Sequence, residues 1–218
     1  VTTRRTGLRE QKKQATREAL RAAALRLALE RGPDNVRVDD IAEAAGVSPR
    51  TYNNYFSSRE QAIVAAVTSE REARVAAAVA DRPDGVGLAD AVVEAVVDQF
   101  TASAEPGREA LLLLITTRPA LREAFIGTTA AIEHPLAEAV AGRLGDGEPH
   151  TARVLAASVA AAVRVALEQW LRTTVSSATA GGLVVPAGSL ADLLRTTLAP
   201  LRPALDAAEQ RARRHRQQ

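Results

Sequence analysis

Arg50, Asn53 and Asn54 lie close together on a segment that carries no acidic side chain between Gly46 and Ser58. Arginine can pair bidentately with a guanine edge and asparagine with an adenine edge, so this trio has the donors and acceptors to read bases in a major groove. Such reading needs a convex element narrow enough to enter the groove. A short helix beginning near Pro49 supplies one: Tyr52 and Phe56, four residues apart, share its inner face and leave Pro49, Arg50, Asn53 and Asn54 outward. The first-turn position of these side chains suits a helix that enters the groove by its N-terminal end.

The elements that must position this helix are equally visible. Val38, Ile41, Ala42 and Ala45 recur at helical spacing and predict a helix that packs by one face. Gly46 stops it, because glycine takes positive φ without a Cβ penalty, and Val47 adds an apolar contact to the turn. Ser48 is placed to cap the next helix and Pro49 suits its first position. Ser57 with Glu60 has the spacing of a capping box, predicting a third helix that carries Ala62, Ile63 and Val67. At that helix's start, Arg59 and the free backbone N–H groups are placed to hold a phosphate. A plain αα-hairpin within a helical bundle is the alternative use of such a glycine turn.

Charge is distributed to match. Residues 1–59 hold 12 Lys or Arg against 7 Asp or Glu, residues 60–208 hold 12 against 18, and the last ten residues are net +3. Only the N-terminal part is suited to a polyanion. The arm with Arg4, Arg5, Arg9, Lys12 and Lys13 can follow phosphates or enter a minor groove, or it is a solvated tail. The basic residues Arg211 to Arg216 read as a disordered tail.

With 218 residues and 46 % hydrophobic content, mostly Ala, Leu and Val, the chain can bury a sizeable core. The fold class expected is all-α: an N-terminal three-helix helix-turn-helix domain over 1–67, a C-terminal helical bundle for dimerisation and ligand binding over 68–208, and a basic disordered tail over 209–218. Helices are predicted over 8–31, with Leu20, Leu25, Leu27 and Leu29 as core candidates, and over 59–80, 88–104, 107–117, 119–143, 150–176 and 189–207. No cysteine is present, which excludes disulfides and thiolate metal sites. The apolar runs 110–115 and 154–163 are too short to span a bilayer and no signal-type segment appears, so a cytoplasmic protein without membrane association is expected. His134, His150 and His215 sit in separate segments, and no HExxH, GxSxG or P-loop pattern occurs, so neither an enzyme, a metal nor a cofactor is expected.

The run Val38-Asp39-Asp40-Ile41-Ala42-Glu43-Ala44-Ala45-Gly46-Val47-Ser48, followed by Thr51 and Phe56, resembles the DNA-binding domain of the TetR family of bacterial transcriptional regulators over roughly residues 9–67. The resemblance implies a homodimeric repressor of a palindromic DNA operator, with a C-terminal domain that binds a small molecule and thereby alters the spacing of two recognition helices. Three positions depart from the family pattern. Arg37 stands where Thr or Ser is usual before the second helix, Arg59 where Lys is usual, and Asn53 where an aromatic is usual, which shifts Asn53 from phosphate contact toward base reading. The candidate DNA-binding set is Arg37, Ser48, Pro49, Arg50, Thr51, Asn53, Asn54, Tyr55 and Arg59, with Lys12 and Lys13 from the arm. Leu8 to Lys13, Ser48 to Thr51, Arg118 to Arg122 and Ala166 to Leu171 further resemble the branch with an acyl-CoA-like ligand-binding C-terminal domain, which includes mycofactocin-associated regulators.

For an effector pocket, Phe100, Leu112, Phe125, Ile132 and Trp170 are wall candidates and Arg118, Glu133, His134 and Gln169 polar candidates. Ordinary core packing is the competing role for each apolar residue. Arg118 either meets an anionic headgroup or supports the preceding helix C-terminus, and His134 either donates to a ligand, faces solvent or is satisfied within the core. The effector expected is small and hydrophobic, such as an acyl-CoA. A drug or secondary-metabolite sensor of the same fold, and a helical adaptor that does not bind DNA, are the alternatives.

Overall fold

The computed structural model describes residues 2–68, 71–83, 85–101, 114–145, 149–179 and 189–217. Every regular element among them is helical, as the composition predicts: α1 (Thr2–Arg31), α2 (Val38–Ala44), α3 (Pro49–Tyr52), α4 (Arg59–Thr68), α5 (Arg71–Ala80), α6 (Leu88–Thr101), α7 (Pro119–Gly127), α8 (Glu133–Leu144), α9 (Pro149–Thr179), α10 (Leu190–Leu198) and α11 (Arg202–Arg216). Short 3-10 turns occupy Pro33–Asn35, Thr128–Ile132 and Ala199–Leu201. The chain forms two compact units, one of Val1–Ser69 with Glu105–Phe125 and one of Glu70–Ala104 with Ile126–Gln218.

In the first unit α1 packs on α4 and α2, and α2 on α3. Leu20, Ala24, Leu27 and Ala28 recur at helical spacing on α1 and are buried with Ile41, Tyr52, Phe56 and Ile63. Leu25 is only half-buried and Leu29 is exposed, so the leucine pattern overstated the packed face of α1. The basic N-terminal stretch does not precede the first helix. α1 already begins at Thr2 and contains it.

The second unit is built around α6, on which Leu88, Ala89, Ala91, Val92, Val93, Ala95, Val96, Val97 and Phe100 are all buried. Burial on nearly every side marks a central helix, here surrounded by α5, α10 and α11. The long α9 packs on α8 and α10. Its span His150–Thr173 is long and apolar enough to cross a membrane, contrary to the reading of 154–163 alone. Ala152, Ala156, Val159, Val163, Leu167 and Leu171 nevertheless bury one side of it in this unit.

Three predicted boundaries change. The helix expected over 119–143 is interrupted by the 3-10 turn Thr128–Ile132, where Gly127 weakens the helix and the Thr129 hydroxyl donates to the Ile126 carbonyl at 2.8 Å. The helix expected over 189–207 ends at Leu198, because Pro200 and Pro203 cannot continue a backbone ladder. The residues expected to form a disordered tail from 209 onward are helical through Arg216. Leu205, Ala208 and Ala212 bury one face of α11, and the Glu209 carboxylate accepts from the Leu88 N–H at 3.1 Å, closing the start of α6. Arg216 donates to the Leu144 carbonyl at 3.0 Å, closing the end of α8. The predicted helix over 59–80 is described as α4 and α5, with residues 69 and 70 outside the described set, as are most residues of the helix predicted over 107–117.

Candidate nucleic-acid interface

The turn between α2 and α3 is closed by backbone alone. Gly46 has φ +69°, its N–H donates to the Glu43 carbonyl at 3.0 Å, and the Val47 N–H donates to the Ala42 carbonyl at 2.9 Å. This paired 5→2 and 6→1 pattern is a Schellman motif, as Gly46 and Val47 predict. At the other end of α2, the Asp40 carboxylate accepts from the Arg37 N–H at 3.1 Å. The Arg37 guanidinium has no acceptor to complete the reciprocal bond, and its side chain is exposed.

α3 starts as predicted: the Ser48 hydroxyl accepts from the Thr51 N–H at 3.1 Å and lies 2.9 Å from the Thr51 hydroxyl. The helix is short, ending at Tyr52, with Asn53 as its C-cap. Tyr52 is fully buried, stacks obliquely on Phe56 with ring centroids 5.8 Å apart, and donates its hydroxyl to the Ser58 carbonyl at 2.8 Å. Burial, assisted by the Glu60 charge, pushes its phenol up to about 12. Anchored in this way, α3 and the turn that follows it hold Ser48, Pro49, Arg50, Asn53 and Asn54 exposed, with Thr51 and Tyr55 half-buried beside them.

The start of α4 differs from prediction by one residue. Ser58 is the cap, accepting from the Gln61 N–H at 3.1 Å, and the Gln61 side chain reaches back to the Ser57 N–H at 2.8 Å. With Ser58 as the cap, Glu60 lies one position too early to close the box; it pairs with Arg59 at 2.6 Å instead. Although burial works against its charge, bonds from Arg59, the Glu60 backbone and Ser58 hold its carboxyl below the ordinary value. Arg59 also donates through Nη1 to the carbonyls of Asp34 and Val36, both at 3.0 Å. It ties the lead-in of α2 to the start of α4, leaving Nη2 as the group that could meet a phosphate.

Lys12 and Lys13 are exposed on α1. Arg17, which sequence reasoning passed over, is exposed on the same helix with its guanidinium 5.7 Å from the centroid of the Phe56 ring. Its spacing of four from Lys13 was the available signal.

The effector candidates do not converge in the same way. Phe100 and Ile132 are buried in the second unit, with the Arg71 guanidinium 4.3 Å from the Phe100 ring centroid. Phe125 is buried and Arg118 half-exposed in the first unit, and Arg118 pairs with Asp34 at 3.0 Å. On α9, Trp170 is half-buried and Gln169 exposed. Glu133 and His134 face solvent, His134 lying 3.4 Å from Glu138, and Leu112 lies outside the described residues. An open cleft of about 870 Å³ between α5, α8 and α11 is floored by Ala76, Ala80 and Gly142 and edged by Glu138, Arg213 and Arg216. None of the nominated effector residues lines it. Among the described residues there is no cluster of His, Asp and Glu that could hold a metal ion.

Two family profiles match the sequence: bacterial regulatory proteins of the tetR family over residues 20–66, and the MftR C-terminal domain over residues 85–206. The HTH-type transcriptional regulator TcmR of Streptomyces glaucescens is 30 % identical over 177 residues, 75 % of this chain and 76 % of that protein. The chain belongs to the TetR family. As a TetR regulator it is a DNA-binding, ligand-responsive transcriptional regulator, and its helix-turn-helix is the element just described. Two solved Rhodococcus structures, one described as a TetR-family transcriptional regulator and one as a transcriptional regulator, are each 22 % identical and superpose with TM-scores of 0.46 and 0.42, covering 88 % and 87 % of this chain and 99 % and 97 % of theirs. The family is one of regulators and not of enzymes, in keeping with the lack of a catalytic pattern in the sequence.

Proposed function

We propose that this TetR regulator is a cytoplasmic homodimeric repressor of a palindromic operator, released by a small hydrophobic effector such as a long-chain acyl-CoA. Arg50, Asn53 and Asn54 read bases, while Ser48, Thr51, Tyr55, Arg37, Lys12 and Lys13 contact phosphates. The observation that carries this assignment is α3 with the turn after it, capped by Ser48, anchored inward by Tyr52 and exposing Arg50, Asn53 and Asn54. Residues 1–67 form the DNA-reading domain and 68–208 the effector and dimer region.

Dimerisation through α9 and α11 is favoured by Val154 and Val165, exposed by 66 % and 44 % on α9, and by a shallow recess where Val154 and Leu155 meet Ala204 and Ala207. Two-fold symmetry would double the short sequence that one α3 can read. The acyl effector is favoured by the Arg118 to Arg122 and Ala166 to Leu171 resemblances and by the MftR-type C-terminal match. Fluorescence anisotropy on a duplex from the chain's own upstream region, with and without a long-chain acyl-CoA, tests both parts. Tight binding released by the thioester is expected. Binding indifferent to it would reject the acyl effector, and no binding to that duplex would reject self-repression.

A further inference from the structure

We propose that Arg118 is a positioning residue for DNA binding: its ion pair with Asp34 lets a segment of the effector region set the turn that feeds the helix-turn-helix. Asp34 lies in the 3-10 turn Pro33–Asn35 between α1 and α2 and is held from two directions. Arg59, at the start of α4, donates to its carbonyl at 3.0 Å, and Arg118 donates to its carboxylate at 3.0 Å. The backbone around Arg118 is itself fixed, since the Arg122 guanidinium donates to the Thr116 carbonyl at 2.8 Å and the Arg118 N–H to the Leu114 carbonyl at 3.0 Å.

The partners come from different parts of the sequence. Asp34 and Arg59 fall within the stretch matched by the tetR profile, and Arg118 within the stretch matched by the MftR C-terminal profile, yet Arg118 belongs to the same compact unit as Asp34 and Arg59. A displacement of Arg118 therefore acts directly on the turn ahead of α2, through the Asp34 carboxylate. The Arg118 and Asp34 side chains are 50 % and 61 % exposed, so the pair adds little to stability. Its effect is orientation, a small bias between arrangements of the kind that a ligand can shift.

The inference rests on the DNA-reading assignment above. The test is a double-mutant cycle at low ionic strength on a duplex that the wild-type chain selects from a random-sequence library, with a scrambled duplex as control. Asp34→Asn and Arg118→Gln should each change the Kd for the selected duplex in the same direction, by roughly two- to fivefold. The double variant should go no further than either single, the charge swap Asp34→Arg with Arg118→Asp should return toward wild type, and ellipticity melting midpoints should stay in place. Opposite-signed, additive effects would mean that the two charges act on DNA independently, and would overturn the proposal. So would unchanged affinities, or a swap that restores nothing. A wild-type chain that selects no duplex would refute the DNA-reading assignment and this inference together.

Discussion

Between Val38 and Thr68 the helix ends are closed by near neighbours: Gly46 and Val47 close α2, Ser48 opens α3, and Ser58 with Gln61 opens α4. In the second unit Ser189 opens α10 locally, but the start of α6 and the end of α8 are closed from far along the chain. Glu209 caps Leu88 from 121 positions away, and Arg216 caps Leu144 from 72. Arg143 donates to the carbonyls of Val79, Arg82 and Val86, binding the end of α5 and the loop before α6 to α8. Local closure makes the helix-turn-helix a self-contained part, whereas remote closure links α5, α6, α8 and α11 so that disturbing one loosens the others.

The largest test of that contrast is Tyr52→Ala, which removes the central anchor of α3 and should cost about 3 to 5 kcal/mol. Trp170, the only tryptophan, lies in the second unit, so its fluorescence transition should stay in place while the ellipticity attributable to the first unit melts earlier. Coincident shifts of both signals would show that the two units unfold together. Arg143→Met should act the other way, lowering the Trp170 transition by about 3 kcal/mol through the loss of charged hydrogen bonds, with the specific DNA affinity of the folded protein unchanged.

Arg50→Ala or Asn53→Ala should weaken operator binding by about 1 to 3 kcal/mol and relax sequence preference, whereas Lys12→Ala should weaken all duplexes alike and flatten the salt dependence. Equal losses on operator and scrambled duplex for all three would dissolve the division between base and phosphate contacts. The smallest effect belongs to Ser48→Ala, about 1 kcal/mol from the lost cap, read as an earlier first-unit transition.

The same contrast explains what the sequence discloses. Gly46, Ser48 and the Tyr52–Phe56 spacing act within a turn or two of themselves, so their roles could be read without coordinates. The capping box slipped by one residue because Ser57 and Ser58 are adjacent and both chemically able, and only the geometry selects Ser58. Residues 209–216 look like a tail because their charge is local information, while the surfaces that hold them, at Leu88 and Leu144, are remote. For the same reason the clip at Arg143 and the pairing of Arg118 with Asp34 carried no periodic signal. Effector candidates chosen by residue type alone scattered between inward and outward faces.

Gly46 has no heavy atom within 4 Å of where a Cβ would stand, so the requirement at this position concerns handedness and not room. Its φ of +69° is penalised for L residues and natural for their mirror images. A semisynthetic chain with D-alanine at position 46 should therefore keep the turn and lose conformational freedom only in the unfolded state, gaining stability where L-alanine would lose it. The corner that aims α3 is specified by chirality.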